Sequence, residues 1–332
     1  MNSSAEVLWR SLDLGRGPRG VRNASWRLLP EAGWFAGVEF TGGRLQAVRL
    51  NFAGEREHEI SEPLPNSIAA ADVLGRIGGA IHRMHEGACG PLLGIGVGAP
   101  GFVDATQGRV VYSQFQPDWQ NVPLVEELGR HFGVPISVEN NLHVIAMAER
   151  WFGAGREEDD FVIVRARIGF GLAVVKDGHL MSGAHHGAGE IGLWPWPLEG
   201  GSGQVHEALS ARAVSRKLSG VKKRTAAPED LVADLGKVAD ATGSAWDEVV
   251  TSYARVLGMA QLLIDSRLYF LHGPLTALGQ RFCDEVNLRC VQLIPALGQS
   301  PVKLIPTTIS EVAGALGAAS LAMEAWDPQL IE

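Results

Sequence analysis

Short glycine-bounded apolar runs alternate with stretches of helical periodicity along nearly the whole chain, and that alternation restricts the fold to an α/β arrangement. WFAGVEF (34–40) and RLQAVRLNF (44–52) carry β-branched and aromatic residues and are joined through Thr41-Gly42-Gly43, which predicts a hairpin. SIAAADVLGRIGGAIHRMHE (67–86) places its apolar residues at helical spacing, and LLGIGVGAP (92–100) reads as a buried strand running into a Gly/Pro turn. PLVEELGRHFG (123–133) is a helix closed by Gly133 and followed by the strand VPISVE. NNLHVIAMAERWFGAG (140–155) then opens a helix on an asparagine cap and stops it at glycine.

A second unit begins near that point. DFVIVRARIGFGLAVVKDGHLM (160–181) predicts two strands around glycines, with Asp177-Gly178 as the tight turn of a hairpin. Residues 229–264 are mostly helical, RLYFLHGP (267–274) is a strand ending at Gly-Pro, and helix follows to residue 297. VKLIPTTI is the last strand, and EVAGALGAASLAMEAW (311–326) is a closing helix whose small residues suit close packing. Each half opens with a glycine-bearing hairpin, a faint symmetry between the two. The start differs: GRGPRGVRNASWRLLP (15–30) sets Arg16, Arg19, Arg22 and Arg27 among Gly, Pro and Asn, which reads as a basic, turn-rich connector.

A chain of 332 residues suits two domains, each able to bury a core. Its net charge of -8 argues against a body that coats itself in nucleic acid. Cys89, Cys283 and Cys290 lack the paired spacing of metal or redox sites, so all three are expected to be structural, behaving as small hydrophobes. The first residues lack the apolar region of a signal peptide, and no run approaches the ~20 apolar residues of a membrane span. The expected compartment is the cytoplasm, without membrane contact.

Four segments carry a family likeness: GVGAPGFVD (96–104), DWQNVPL (118–124), VENNLHVIAMAERWFGAG (138–155) and SGAHHGAGEIG (182–192). In that order and spacing the chain resembles the ROK family (repressors, open reading frames and kinases of sugars) from about Trp34 to Trp326. The resemblance implies a two-lobed actin-like ATPase fold of the sugar kinase/ribonuclease H-like kind, each lobe a mixed sheet flanked by helices. On that template residues 34–137 with 308–332 form the N-terminal lobe and 138–307 the C-terminal lobe. Residues 1–33 are then a basic linker or the remnant of a winged-helix segment.

Position by position, the resemblance implies lost chemistry. The family's kinases use an Asp in a Glu-Asn-Asp run to take the proton from the attacked sugar hydroxyl, whereas here the run is Glu139-Asn140-Asn141. An amide has no useful basicity, and losing a general base typically costs roughly 10²–10⁴ in rate. The first phosphate loop is reduced to Glu39-Phe40-Thr41-Gly42-Gly43 and the second to Arg167-Ile168-Gly169 with Phe170-Gly171. The adenosine loop survives as His272-Gly273-Pro274. Nucleotide contacts would therefore fall on Gly42, Gly43, Gly169, Gly171 and Gly273, in a degenerate site. The family's cysteine-rich zinc loop is replaced by LWPWPLEGGSGQVHE, with Leu193 at the His ligand position, so no metal is expected.

Sugar contacts are better kept. The family's hydroxyl-binding residues map onto Asn140, Glu190 and Glu207, with Asn141 as a further amide, while Leu193 replaces a His and Phe115 an Asn. Carboxylates and amides converging on one ring suit a polyol. The expectation is a catalytically silent, sugar-sensing transcriptional-regulator body that needs no cofactor. Its implied partners are a sugar or amino-sugar effector, a second copy in a homodimer, and DNA only through an N-terminal domain that residues 1–33 are too short to form. The alternative is an ATP- and magnesium-dependent sugar kinase, of the glucokinase or N-acetyl amino sugar kinase type, with an unusual active site.

Overall fold

The same run of strand pairings is built twice, once in each of two units: Met1–Ala148 with Val312–Glu332, and Glu149–Glu311. The computed structural model describes residues 9–16, 22–41, 43–65, 68–113, 118–198, 201–220 and 230–327.

In the first unit, β1 (Trp9–Arg16) and β2 (Arg22–Leu28) form an antiparallel pair. This segment reads from the sequence as a basic, turn-rich linker or the remnant of a winged-helix segment, and it carries a strand pair. Its arginines and glycines hid the strands because neither run shows an apolar alternation. The main sheet is built from β3 (Trp34–Thr41), β4 (Arg44–Asn51), β5 (Arg56–Pro63), β6 (Leu92–Ala99) and β10 (Ile136–Asn140), in the order β10-β6-β3-β4-β5. Pairing is antiparallel across β5-β4-β3 and parallel across β3-β6-β10. β3 is buried along its whole length, as a central strand covered on both faces must be. β5, REHEISEP, is a mostly exposed edge strand, and its charges both discourage edge-to-edge pairing and conceal it from a hydrophobicity reading. A small sheet of β7 (Phe102–Asp104), β8 (Arg109–Tyr112) and β9 (Gln120–Val122) follows β6.

Helix α1 (Ala70–His85) buries Val73, Ile77, Ala80, Ile81 and Met84 against the even-numbered face of β3, where Trp34, Ala36, Val38 and Phe40 point. α2 (Leu124–Gly129) adds Leu124 and Leu128 to that core. The odd-numbered face carries Gly37, against which α9 (Ala313–Glu324) packs backbone to backbone. A Cβ on Gly37 would stand 2.0 Å from the Ala315 carbonyl oxygen, and one on Gly96 of β6 would stand 1.7 Å from that of Ala318.

The second unit repeats the order with β11 (Phe161–Ala166), β12 (Phe170–Lys176), β13 (His179–Leu180), β16 (Leu268–His272) and β17 (Leu304–Pro306) as β13-β12-β11-β16-β17. Antiparallel and parallel pairings fall in the same places. Asp177 and Gly178, both at positive φ (50° and 74°), make the tight turn between β12 and β13. β14 (Pro195–Leu198) and β15 (Gly201–Gln204) form a separate ribbon leading into α4 (Val205–Leu209), α5 (Ala211–Ser219) and α6 (Asp230–Gly236). α7 (Ser244–Ile264) and α8 (Gly279–Leu293) supply Trp246, Val250, Tyr253, Leu257, Phe282 and Val286 to the core.

Cys283 and Cys290 are buried on α8, where burial pushes both thiols up to about 12, as suits structural residues. Cys89 is exposed, in the turn between α1 and β6. Among the described residues no helix is long and apolar enough to cross a membrane.

Candidate functional site

Asn140 closes β10, and Asn141 opens α3 (Asn141–Phe152). The cap is Asn140 rather than Asn141: its Oδ1 accepts the Leu142 N–H at 2.7 Å, while its Nδ2 donates to the Gly101 carbonyl at 2.6 Å. An Asn amide offers two donors and two lone pairs, so one of each remains on Asn140 for a ligand. Asn141 is half-buried, and its side chain makes no hydrogen bond to the described residues. Glu139 accepts the Asn140 N–H at 2.7 Å and lies 3.0 Å from Nδ1 of His143, a buried pair that the family pattern did not single out. Glu39 of β3 and Glu139 of β10 both stand in register with Gly98, so the two carboxylates flank that glycine on one face of the sheet. Gly43 sits in the β3–β4 turn at φ 102°, and its carbonyl accepts the Leu64 N–H. Gly42 and Phe115 lie outside the described residues.

In the second unit Arg165 is in register with both Gly171 and His272, which gathers Gly169, Gly171 and Gly273 at one end of the sheet. The 167–169 turn carries the Arg167 and Ile168 side chains, and the Arg167 N–H is already bonded to the Gly169 carbonyl at 2.9 Å. A phosphate cradle needs successive free amides on bare backbone, so this turn fits a nucleotide phosphate poorly.

Beside it, Glu149 is fully buried, with Oε1 accepting from Thr307 Oγ1 and lying 3.3 Å from Nε2 of His272. Burial holds the His272 ring below its ordinary pKa of 6.5, while the Glu149 hydrogen bond pulls the other way. The unfolded chain therefore takes up this proton first. The second unit is expected to lose stability as pH falls from about 6.5 through the lower folded value, and to be insensitive to this group above it. Thermal melts between about pH 5 and 8 check this. A midpoint that does not fall toward the acid end, or a slope that persists unchanged in His272→Asn, would contradict it.

Glu190 leads into a 3₁₀ turn over Ile191–Leu193, directly after Gly189 at φ 84°. Gly189 cannot be replaced lightly, since its Cβ would lie 2.0 Å from the Leu172 carbonyl oxygen. Glu207 stands in the first turn of α4 in a capping box: its Oε1 accepts the Gln204 N–H at 2.9 Å, and the Gln204 side chain accepts in return. Two bonds tie the Glu190 segment to α4. The Val205 N–H donates to the Trp194 carbonyl at 3.0 Å, and His206 Nδ1 lies 3.1 Å from the Gly192 carbonyl oxygen. Glu207 also lines an open groove of about 590 Å³ together with Trp196, Arg216, Lys217 and Ser252. Leu193 follows Glu190 in the same turn, and among the described residues no three His, Cys, Asp or Glu side chains are placed to hold a metal ion.

A mixed sheet built twice, with the strand–asparagine–helix junction of β10 and α3, defines a body of the actin-like ATPase fold used by sugar kinases and related regulators. The chain belongs to the ROK family, whose pattern it matches over residues 36–325. It is 30% identical to a glucokinase from Thermotoga maritima over 275 residues, covering 76% of this chain and 86% of that one. It is 24% identical to a xylose repressor from Bacillus spizizenii over 301 residues, covering 87% of this chain and 75% of the repressor. A solved ROK-family transcriptional regulator, a homologue of the E. coli Mlc protein, superposes with a TM-score of 0.77 at 18% identity, over 95% of this chain and 84% of the other.

Proposed function

We propose that this protein is a ROK-type sugar-sensing regulator body that binds a sugar or amino sugar and does not phosphorylate it. The observation that carries the reading is Asn141. The residue at the family's base position is a half-buried amide with no hydrogen bond to the described residues, so it is free to bond a hydroxyl and unable to take its proton. Asn140, Glu190 and Glu207 supply the remaining sugar contacts. The turn at 167–169, with its side chains and its used amide, supports the absence of phosphoryl transfer. On this reading the two units sense and do not themselves hold DNA, and the protein works in the cytoplasm as a homodimer.

Calorimetric titration with hexoses, N-acetylated amino sugars and their phosphates tests the proposal, with saturable binding of at least one expected. No binding by any of them would remove the sensor reading. The likeness to a glucokinase keeps kinase activity as the second reading. A coupled assay with ATP and magnesium across the same sugars decides between the two. No turnover is expected from the native chain or from Asn141→Asp, because the defect extends into the phosphate loops.

A further inference from the structure

The groove beside Glu207 is walled by the β14–β15 ribbon, part of the segment that stands in place of the family's cysteine-rich zinc loop. Trp196 of the ribbon lines the groove and is half-buried. Its direct partner across the ribbon is Gly203, so no cross-strand side chain stands beside the indole. Leu209, Ala213 and Val249, all buried core residues, supply an apolar floor. Arg216 of α5 also lines the groove. It is exposed, and its guanidinium has no partner among the described residues.

Charge and size decide what this groove suits. Arg216 and Lys217 bring two positive charges to it and Glu207 and Glu248 two negative ones, with Lys217 already paired to Glu248. With the signs balanced, a phosphate or carboxylate gains no net attraction there. The polar atoms left over are of both kinds. Glu207 Oε2 and the Ser252 hydroxyl carry no hydrogen bond to the described residues, so acceptors stand in the same groove as the guanidinium donors. Sugar hydroxyls use both donors and acceptors, while the apolar C–H face of a sugar ring lies flat on an aromatic one. At about 590 Å³ the groove exceeds what a single hexose ring fills and falls among pockets that hold larger ligands.

We infer that the ribbon groove is a second saccharide subsite and that the effector is a glycoside or oligosaccharide. One ring is held at Glu190 and Glu207, and the next lies on Trp196 with its hydroxyls on Arg216. The inference rests on the proposed sugar-sensing reading and narrows it from a free monosaccharide to a linked sugar. Glu207 lines the groove and is one of the proposed sugar contacts, so it stands where the two rings join.

Calorimetric titration of the full chain tests it, comparing glucose with cellobiose and maltose, N-acetylglucosamine with diacetylchitobiose, and xylose with xylobiose. At least one disaccharide is expected to bind about 10-fold or more tighter than its own monosaccharide. Trp196→Ala should cancel that gain and leave the monosaccharide within about 2-fold of native, since the indole touches only the second ring. Arg216→Ala should reduce the gain about 5-fold, again with the monosaccharide unchanged. Circular dichroism melts verify that each variant is folded. Arg216 is exposed, so its variant reports on the subsite even if Trp196→Ala misfolds. The proposal is overturned if no disaccharide binds tighter than its monosaccharide, or if the gain persists in the folded variants. A preference for glucose 6-phosphate over glucose that disappears in Arg216→Ala would also overturn it, by making the groove an anion site. Monosaccharide binding without a disaccharide gain leaves the sensor reading standing, whereas no binding by any sugar ends both.

Discussion

Gly96→Val is expected to unfold the first unit. In the native packing, Gly37 and Gly96 of adjacent parallel strands let α9 approach until backbone meets backbone, with added Cβ atoms only 2.0 and 1.7 Å from helix carbonyl oxygens. Gly317 on α9 plays the same part toward α3, where its Cβ would lie 1.6 Å from the Val144 oxygen. A flexible side chain could move aside, but a carbonyl in a helix cannot shift by more than an ångström without breaking the helix's own bonds. The cost should be about 4 kcal/mol or more, a large part of the 5–15 kcal/mol that holds a typical domain together. Thermal melts of Gly96→Val should show the first unit's transition gone or far lower. A midpoint within a few degrees of native would mean that the contact is not as close as described. Gly75→Ala is the matched control. Gly75 is an exposed residue of α1 with nothing within 4 Å of its Cβ position, so the same kind of change should stabilise by about 0.5–1 kcal/mol.

The double change Glu190→Gln with Glu207→Gln should weaken sugar binding about 100-fold or more. Hydrogen bonds to a charged acceptor are worth about 1.5–3 kcal/mol against about 1 for neutral pairs, so removing two charges together costs about 3 kcal/mol of affinity. Glutamine keeps an oxygen for the Gln204 N–H, so the capping box of α4 persists and melting should change little. That separation is the purpose of the substitution: a Glu207→Ala change would remove the cap and the ligand contact together. Native-like titration curves from the double variant, with native binding established, would take Glu190 and Glu207 out of the site.

The strands and helices of both units were legible where the pattern is local. Val73, Ile77, Ala80, Ile81 and Met84 repeat at helical spacing, and β3 and β11 are dense in apolar residues, so the alternation of elements followed directly. β5 and the β1–β2 pair were not legible, because an edge strand or hairpin rich in charge carries no apolar alternation. The asparagine run was visible as a helix cap, but which of its two asparagines makes the capping bond was not legible. Which amide turns back to bond Leu142 depends on where the Gly101 carbonyl stands, 39 positions away in sequence.

By itself, then, the sequence determined the α/β class, the family, and an amide at Asn141 where the family's kinases carry an Asp. Each of these rests on residue identity or on neighbours within a few positions. The tertiary structure alone decided that the two sheets repeat one pairing order, and that His206 and Val205 hold the Glu190 segment against α4. It alone brought Glu149 to His272 across 123 positions and to Thr307 across 158. It also set Arg216 of α5 in one groove with Trp196 of the ribbon. These outcomes turn on which surfaces meet once the chain has packed, and packing joins residues whose separation along the chain leaves no periodic trace.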